Sequence, residues 1–139
     1  MGKTNNRLSL AVQHAALRSM FPQSEIKGFM GQSISWNYIL KPTPLSASYR
    51  VLLKYSINKG LKFYVTDPKP LTLAPGEITL PHVYSTPEQR LCLYYPDGTE
   101  WNPMMLYTTT IIPWAVEWLA HYEIWVSTGK WHGGGTNHK

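Results

Sequence analysis

The chain is poor in cysteine. A single cysteine, Cys92, among 139 residues rules out any intramolecular disulfide and fits a reducing compartment, so a cytoplasmic location is expected. Long hydrophobic runs are missing too. None approaches the roughly 18 apolar residues of a membrane span, and the opening stretch MGKTNNRLSLAVQHAALRSMF holds no continuous apolar core of the secretory kind. Acids are scarce: 8 Asp and Glu stand against 13 Lys and Arg, for a net charge of +5. The basic residues are nevertheless dispersed, among them Arg7, Arg18, Lys27, Lys41, Arg50, Lys54, Lys62, Arg90 and Lys130. They form no run and no aromatic-basic repeat, so nucleic acid is not expected as a partner, and an acidic protein surface is at least as compatible.

What is present suits one globular domain. Apolar residues make up 43%, with 6 Trp and 9 Tyr, enough to build a single core in a chain of this length. Residues 8–20, LSLAVQHAALRSM, are predicted as a helix that buries Leu8, Ala11, Val12 and Ala15 and ends at Phe21-Pro22. Three alternating segments follow: Ile34, Trp36, Tyr38 and Leu40; then Tyr49, Val51, Leu53 and Tyr55; then Leu61, Phe63 and Val65. Period two predicts strands with one buried face, and Asn58-Lys59-Gly60 predicts a hairpin between the second and third.

Residues 66–87 change character. Pro68, Pro70, Pro75, Pro81 and Pro87 exclude a central strand and predict a stiff, extended crossing. RLCLYY, residues 90–95, reads as a short strand after it. Residues 111–126 are predicted as the strongest helix, with Ile111, Ala115, Trp118, Leu119, Tyr122 and Val126 on one face. Its start is expected near Ile112 or Pro113, with Thr109 and Thr110 hydroxyls available to the free amides and Gly129 as the stop. Helices segregated on one antiparallel sheet make the fold class α+β. One domain over 1–132 is expected, with 133–139 as a flexible glycine-rich tail.

Four landmarks fall in a familiar order. His82 stands ten residues before Cys92, Cys92-Leu93 makes a Cys-Leu pair, Trp101-Asn102-Pro103 follows, and the helix 111–126 comes next. In this the chain resembles the ubiquitin-conjugating enzymes over residues 8–131. That family runs N-terminal helix, four-stranded antiparallel meander, crossing with a His-Pro-Asn turn, catalytic cysteine, then a central helix. The resemblance departs at the turn, which reads His82-Val83-Tyr84 without the asparagine, and in the lack of the later helices of eukaryotic members. With the small size, both departures resemble the bacterial branch, in particular the stand-alone conjugating proteins of CBASS anti-phage operons.

The resemblance implies acyl transfer through a thioester on Cys92. A cGAS-like nucleotidyltransferase is the implied partner, and its C-terminus is the implied cargo. An activating enzyme is left open as a second partner. His82 is implied to hold the turn beside the cysteine. Tyr84 falls where the family has its oxyanion-supporting asparagine, and Asn102 is a second candidate donor. Arg90 is placed to favour the thiolate. Asp97 and Glu100 are candidates to accept a proton from an acceptor amine.

Each of these has a plainer alternative. Tyr84 as packing, Arg90 as a solvated charge and Asp97-Gly98 as a turn pair stay open. So does a catalytically silent binding module that recognises its partner through Trp114, Trp125 and Trp131 around an inert Cys92. A hydrolase with a Cys92-His82 dyad is a further alternative. His121, His132, His138 and Cys92 lack any recognised ligand spacing, so neither a metal nor another cofactor is expected.

Overall fold

The computed structural model describes residues 7–133, so the tail residues 134–139 lie outside the described part. The described chain is α+β: helix α1 (Leu10–Met20), strands β1 (Glu25–Phe29), β2 (Ser33–Leu40), β3 (Tyr49–Ser56), β4 (Gly60–Asp67), β5 (Val83–Ser85) and β6 (Arg90–Leu91), then helix α2 (Ile111–Thr128). The sheet has six strands in the order β1-β2-β3-β4-β6-β5, with every pairing antiparallel. The expected four-strand meander is therefore corrected. β1 to β4 do follow one another as neighbours, but β6 and β5 extend the sheet beyond β4.

Alternation builds the meander. Tyr49, Val51, Leu53 and Tyr55 of β3 are all buried, and their register partners Ile34, Trp36, Phe63 and Val65 lie on the same face. The β3-β4 turn spans 57–59 and closes at Gly60, whose φ of 75° is open to glycine without strain. β1 was not anticipated. Its residues are almost all exposed, so it carries no period-two signal, and only its ladder to β2 identifies it.

α1 is also corrected. Its buried stripe is Leu10, Gln13 and Leu17, while Val12 points outward. The cause is Gln13, a polar residue at a core position. Its Nε2 donates to the Met105 carbonyl at 2.9 Å, and its Oε1 accepts from the Tyr107 amide at 3.1 Å. Those two bonds satisfy its amide away from water and clamp α1 to the segment before α2.

α2 buries Ile111, Ile112, Ala115, Trp118, Leu119, Tyr122 and Trp125. It ends at Gly129, whose φ is 78° and whose amide donates to Trp125. Thr110 occupies the N-cap without a capping bond. Its hydroxyl instead donates to the Leu106 carbonyl at 2.7 Å and accepts from Trp101 Nε1 at 3.0 Å. Hence the Trp101 landmark is an anchor for the α2 start. α2 also braces the crossing: Tyr122 donates to the Thr72 carbonyl, and Trp118 Nε1 lies 3.3 Å from the carbonyls of Pro81 and His82. The crossing contributes Leu71, Ala74 and Leu80 to the core.

Candidate functional site

The crossing delivers two residues to Cys92. His82 adopts a left-handed φ of 50°, and its carbonyl accepts the Cys92 amide at 3.0 Å. Its ring lies against Trp131, with centroids 5.1 Å apart. Tyr84 follows in β5, where the register with β6 shifts between Val83 and Ser85. That irregularity makes Tyr84 the extra residue of a bulge, and a bulge re-aims the side chain it carries.

Tyr84 then reaches two residues of the neighbouring segment. Its hydroxyl hydrogen-bonds the Cys92 thiol. The Arg90 guanidinium lies 4.4 Å from its ring centroid, a cation-π distance. Arg90 and Cys92 therefore serve one side of the segment, as an extended chain requires of residues two apart. Arg90 Nε is buried and has no hydrogen-bond partner among the described residues.

Cys92 itself is buried, with 6% of its surface exposed. Its Sγ donates to the Tyr94 carbonyl at 3.4 Å. Burial pushes the thiol above its ordinary range. The Tyr84 and Tyr94 hydrogen bonds and the Arg90 charge pull the other way, and the Glu100 charge adds to the rise. So Arg90 does act in the expected direction, but desolvation outweighs it, and Cys92 rests as a neutral thiol at neutral pH. Tyr84 is also held well above the usual phenol value, first by burial and then by the bond to Cys92. Tyr94 is pushed up to about 12 by burial.

The remaining candidates occupy the loop after Cys92. Asp97 accepts from the Thr99 amide at 2.9 Å and the Thr99 hydroxyl at 2.6 Å, and these bonds hold its carboxyl below the usual range. It is a turn anchor, and the carboxylate whose field reaches Cys92 is Glu100. Glu100 in turn accepts the Tyr95 amide at 2.6 Å. Asn102 commits its Oδ1 to the Met104 amide at 2.9 Å. Only its Nδ2 is then available to an incoming oxygen.

Of the aromatic set named for a binding module, Trp125 is corrected. Trp125 is buried in the core, and Trp114 and Trp131 are partly buried against it. Among the described residues, no three metal-ligating side chains converge. No helix of the structure is long and apolar enough to cross a membrane. A groove of about 560 Å³ lined by Lys27, Phe29, Lys54 and Lys62 belongs to β1–β4 and contains neither Cys92 nor its partners.

Two contributors escaped sequence reasoning. Tyr94 supplies a backbone carbonyl, which has no sequence signature. Gln89 is buried with a φ of 54°, and its side chain bonds the crossing and β4 together just before Arg90. In the polar stretch Thr86-Pro87-Glu88-Gln89-Arg90 nothing separates it from a surface residue.

No curated protein matches the chain significantly. A family model described as type II CBASS E2 protein matches residues 13–139, a span that includes Cys92, Tyr84, Arg90 and the whole sheet. The chain belongs to the type II CBASS E2 protein family.

Proposed function

We propose that the protein carries an acyl group as a thioester on Cys92 and passes it to an amine in CBASS antiviral defence. The observation that carries this reading is the hydrogen bond between the Tyr84 hydroxyl and the Cys92 thiol. A cysteine that merely fills a core needs no polar side chain on its sulfur. Here one is supplied by a bulged residue, next to the half-buried Arg90 guanidinium, in a chain of the type II CBASS E2 protein family.

In loading, Sγ attacks an activated carbonyl carbon. A C–S bond forms, the activating group leaves with its electron pair, and the thiol proton goes to solvent. A thiol with a high pKa suffices because the incoming carboxyl arrives already activated. The thioester is neutral, so burial penalises it far less than a thiolate. By resemblance, the cargo is the C-terminus of a cGAS-like nucleotidyltransferase, with an activating enzyme as a second partner. His82 holds the Cys92 amide from its carbonyl. Asn102 Nδ2 is the candidate donor to the oxyanion that forms at the carbonyl. Glu100, rather than Asp97, is the carboxylate suited to orient an acceptor amine.

The test is capture of the adduct. The tagged protein is expressed with its operon and isolated without reductant, beside Cys92→Ala and Cys92→Lys. The expected result is a heavier species that thiol removes, that Cys92→Ala lacks and that Cys92→Lys retains in thiol. Mass spectrometry of it identifies the cargo. One observation favours a second reading, a silent binding module: the thiol is buried. That reading gains if no adduct forms in the active operon and Cys92→Ala still co-purifies with the operon's proteins.

A further inference from the structure

We propose that Tyr84 is the hydrogen-bond donor to the sulfur as it leaves during transfer, and that Arg90 is the positioning residue that holds Tyr84 there. This rests on the acyl-carrier reading and assigns the leaving-group half of that reaction.

The geometry argues against a packing role for Tyr84. A tyrosine that only fills space is enclosed, yet Tyr84 is 42% exposed while the thiol it bonds is 6% exposed. Tyr84 sits at the register shift between Val83 and Ser85, and its hydroxyl bonds the Cys92 thiol. The Arg90 guanidinium against its ring then fixes the ring's orientation. The buried Arg90 Nε makes no hydrogen bond among the described residues.

The chemistry needs such a donor. In transfer, the amine nitrogen attacks the thioester carbonyl carbon and a C–N bond forms. The tetrahedral intermediate collapses, the C–S bond breaks, and its electron pair goes to Sγ. The nascent thiolate lies in a buried place, where a charge without a donor is costly. The Tyr94 carbonyl accepts from the resting thiol but can offer a thiolate nothing. Tyr84 can donate. Its phenol is held above the usual value, so it keeps its proton at neutral pH and acts as a donor, not as a base. The proton released by the amine nitrogen ends on Sγ, which restores the neutral thiol.

The test has two arms on full-length protein. One follows alkylation of Cys92 by iodoacetamide against pH, which needs no cargo. The other loads Cys92 from a glycine-terminated peptide thioester and follows discharge to free lysine. Tyr84→Phe preserves shape and removes only the hydroxyl. We expect it to move the alkylation midpoint upward and to slow discharge by about tenfold, the scale of one hydrogen bond to a charged group. Arg90→Gln should shift both in the same direction, with Arg90→Lys restoring part of each. Discharge by Tyr84→Phe at the wild-type rate with an unmoved alkylation midpoint would overturn the proposal. Arg90→Gln behaving as wild type beside a slow Tyr84→Phe would overturn the part assigned to Arg90. If the wild-type protein alkylates but never loads, the acyl-carrier reading fails and takes the leaving-group role with it. If it loads and Tyr84→Phe discharges normally, only the role of Tyr84 fails.

Discussion

The side-chain carbonyl of Gln89 accepts the Leu71 amide at 2.6 Å, across 18 residues of chain. The same side chain donates through Nε2 to the carbonyls of Val65, at 2.9 Å, and Pro68, at 3.0 Å. One buried amide thus ties the start of the proline-rich crossing to β4, immediately before the segment that carries Arg90 and Cys92. Gln89→Ala strands two buried backbone groups, the Leu71 amide and the Val65 carbonyl, each costly to leave unmade, and should destabilise the fold by about 3 kcal/mol. Urea unfolding at neutral pH measures this. A loss under about 1 kcal/mol would mean that water or a shifted backbone replaces the amide.

Lys54 and Lys62 are direct register partners across β3 and β4. Like charges placed opposite one another repel. Lys62→Glu should therefore stabilise the protein by about 0.5 kcal/mol at low ionic strength. The gain should shrink in high salt, where the charges are screened. Urea midpoints at two salt concentrations decide it. An unchanged midpoint at low salt would show that the two ammonium groups already splay into solvent.

The pH dependence of stability has a defined sign on the alkaline side. Cys92, Tyr49, Tyr84, Tyr94, Tyr107 and Tyr122 are all raised above their ordinary values, in each case first by burial. Once pH passes 9.0 for the thiol and 10.0 for the phenols, the unfolded chain holds fewer protons than the folded one. Stability is then lost as pH rises. The contribution of these groups is fully present at neutral pH and falls through the alkaline range, past about 12 for Tyr94. Urea midpoints should be level from neutral pH to the onset of thiol ionisation and decline above it. A rise in stability over that range would contradict the burial of these groups.

The two carboxylates after Cys92 should separate cleanly. Glu100 raises the thiol through its charge, whereas Asp97 is occupied by Thr99. Glu100→Gln keeps an oxygen for the Tyr95 amide but removes the charge. It should speed iodoacetamide alkylation of Cys92 at mildly alkaline pH by about twofold. Asp97→Asn should leave that rate unchanged. The reverse ranking would mean that Asp97, not Glu100, faces the sulfur.

Much of the architecture was legible because it is written locally. Period-two alternation located β2, β3 and β4, and Gly129 marked the end of α2, since both follow from backbone geometry and neighbouring residues. The spacing from His82 to Cys92 and the Trp101-Asn102-Pro103 triplet were likewise readable in order along the chain. β1 was not, because an edge strand wet on both faces has no pattern. Nor was the phase of α1, because Gln13 counts as polar until Met105 and Tyr107 come to meet it.

By itself, then, the sequence determined the α+β class, the main strands and the long helix, and it singled out the one thiol. What stands around that thiol was decided by tertiary structure. Tyr84 meets Cys92 and Arg90 because β5 and β6 pair, with a register shift at Tyr84. The thiol is held above its ordinary range chiefly because folding removes water from it. Desolvation, cross-strand register and hydrogen bonds between distant backbone groups are properties of the packed chain, and no local residue pattern encodes them.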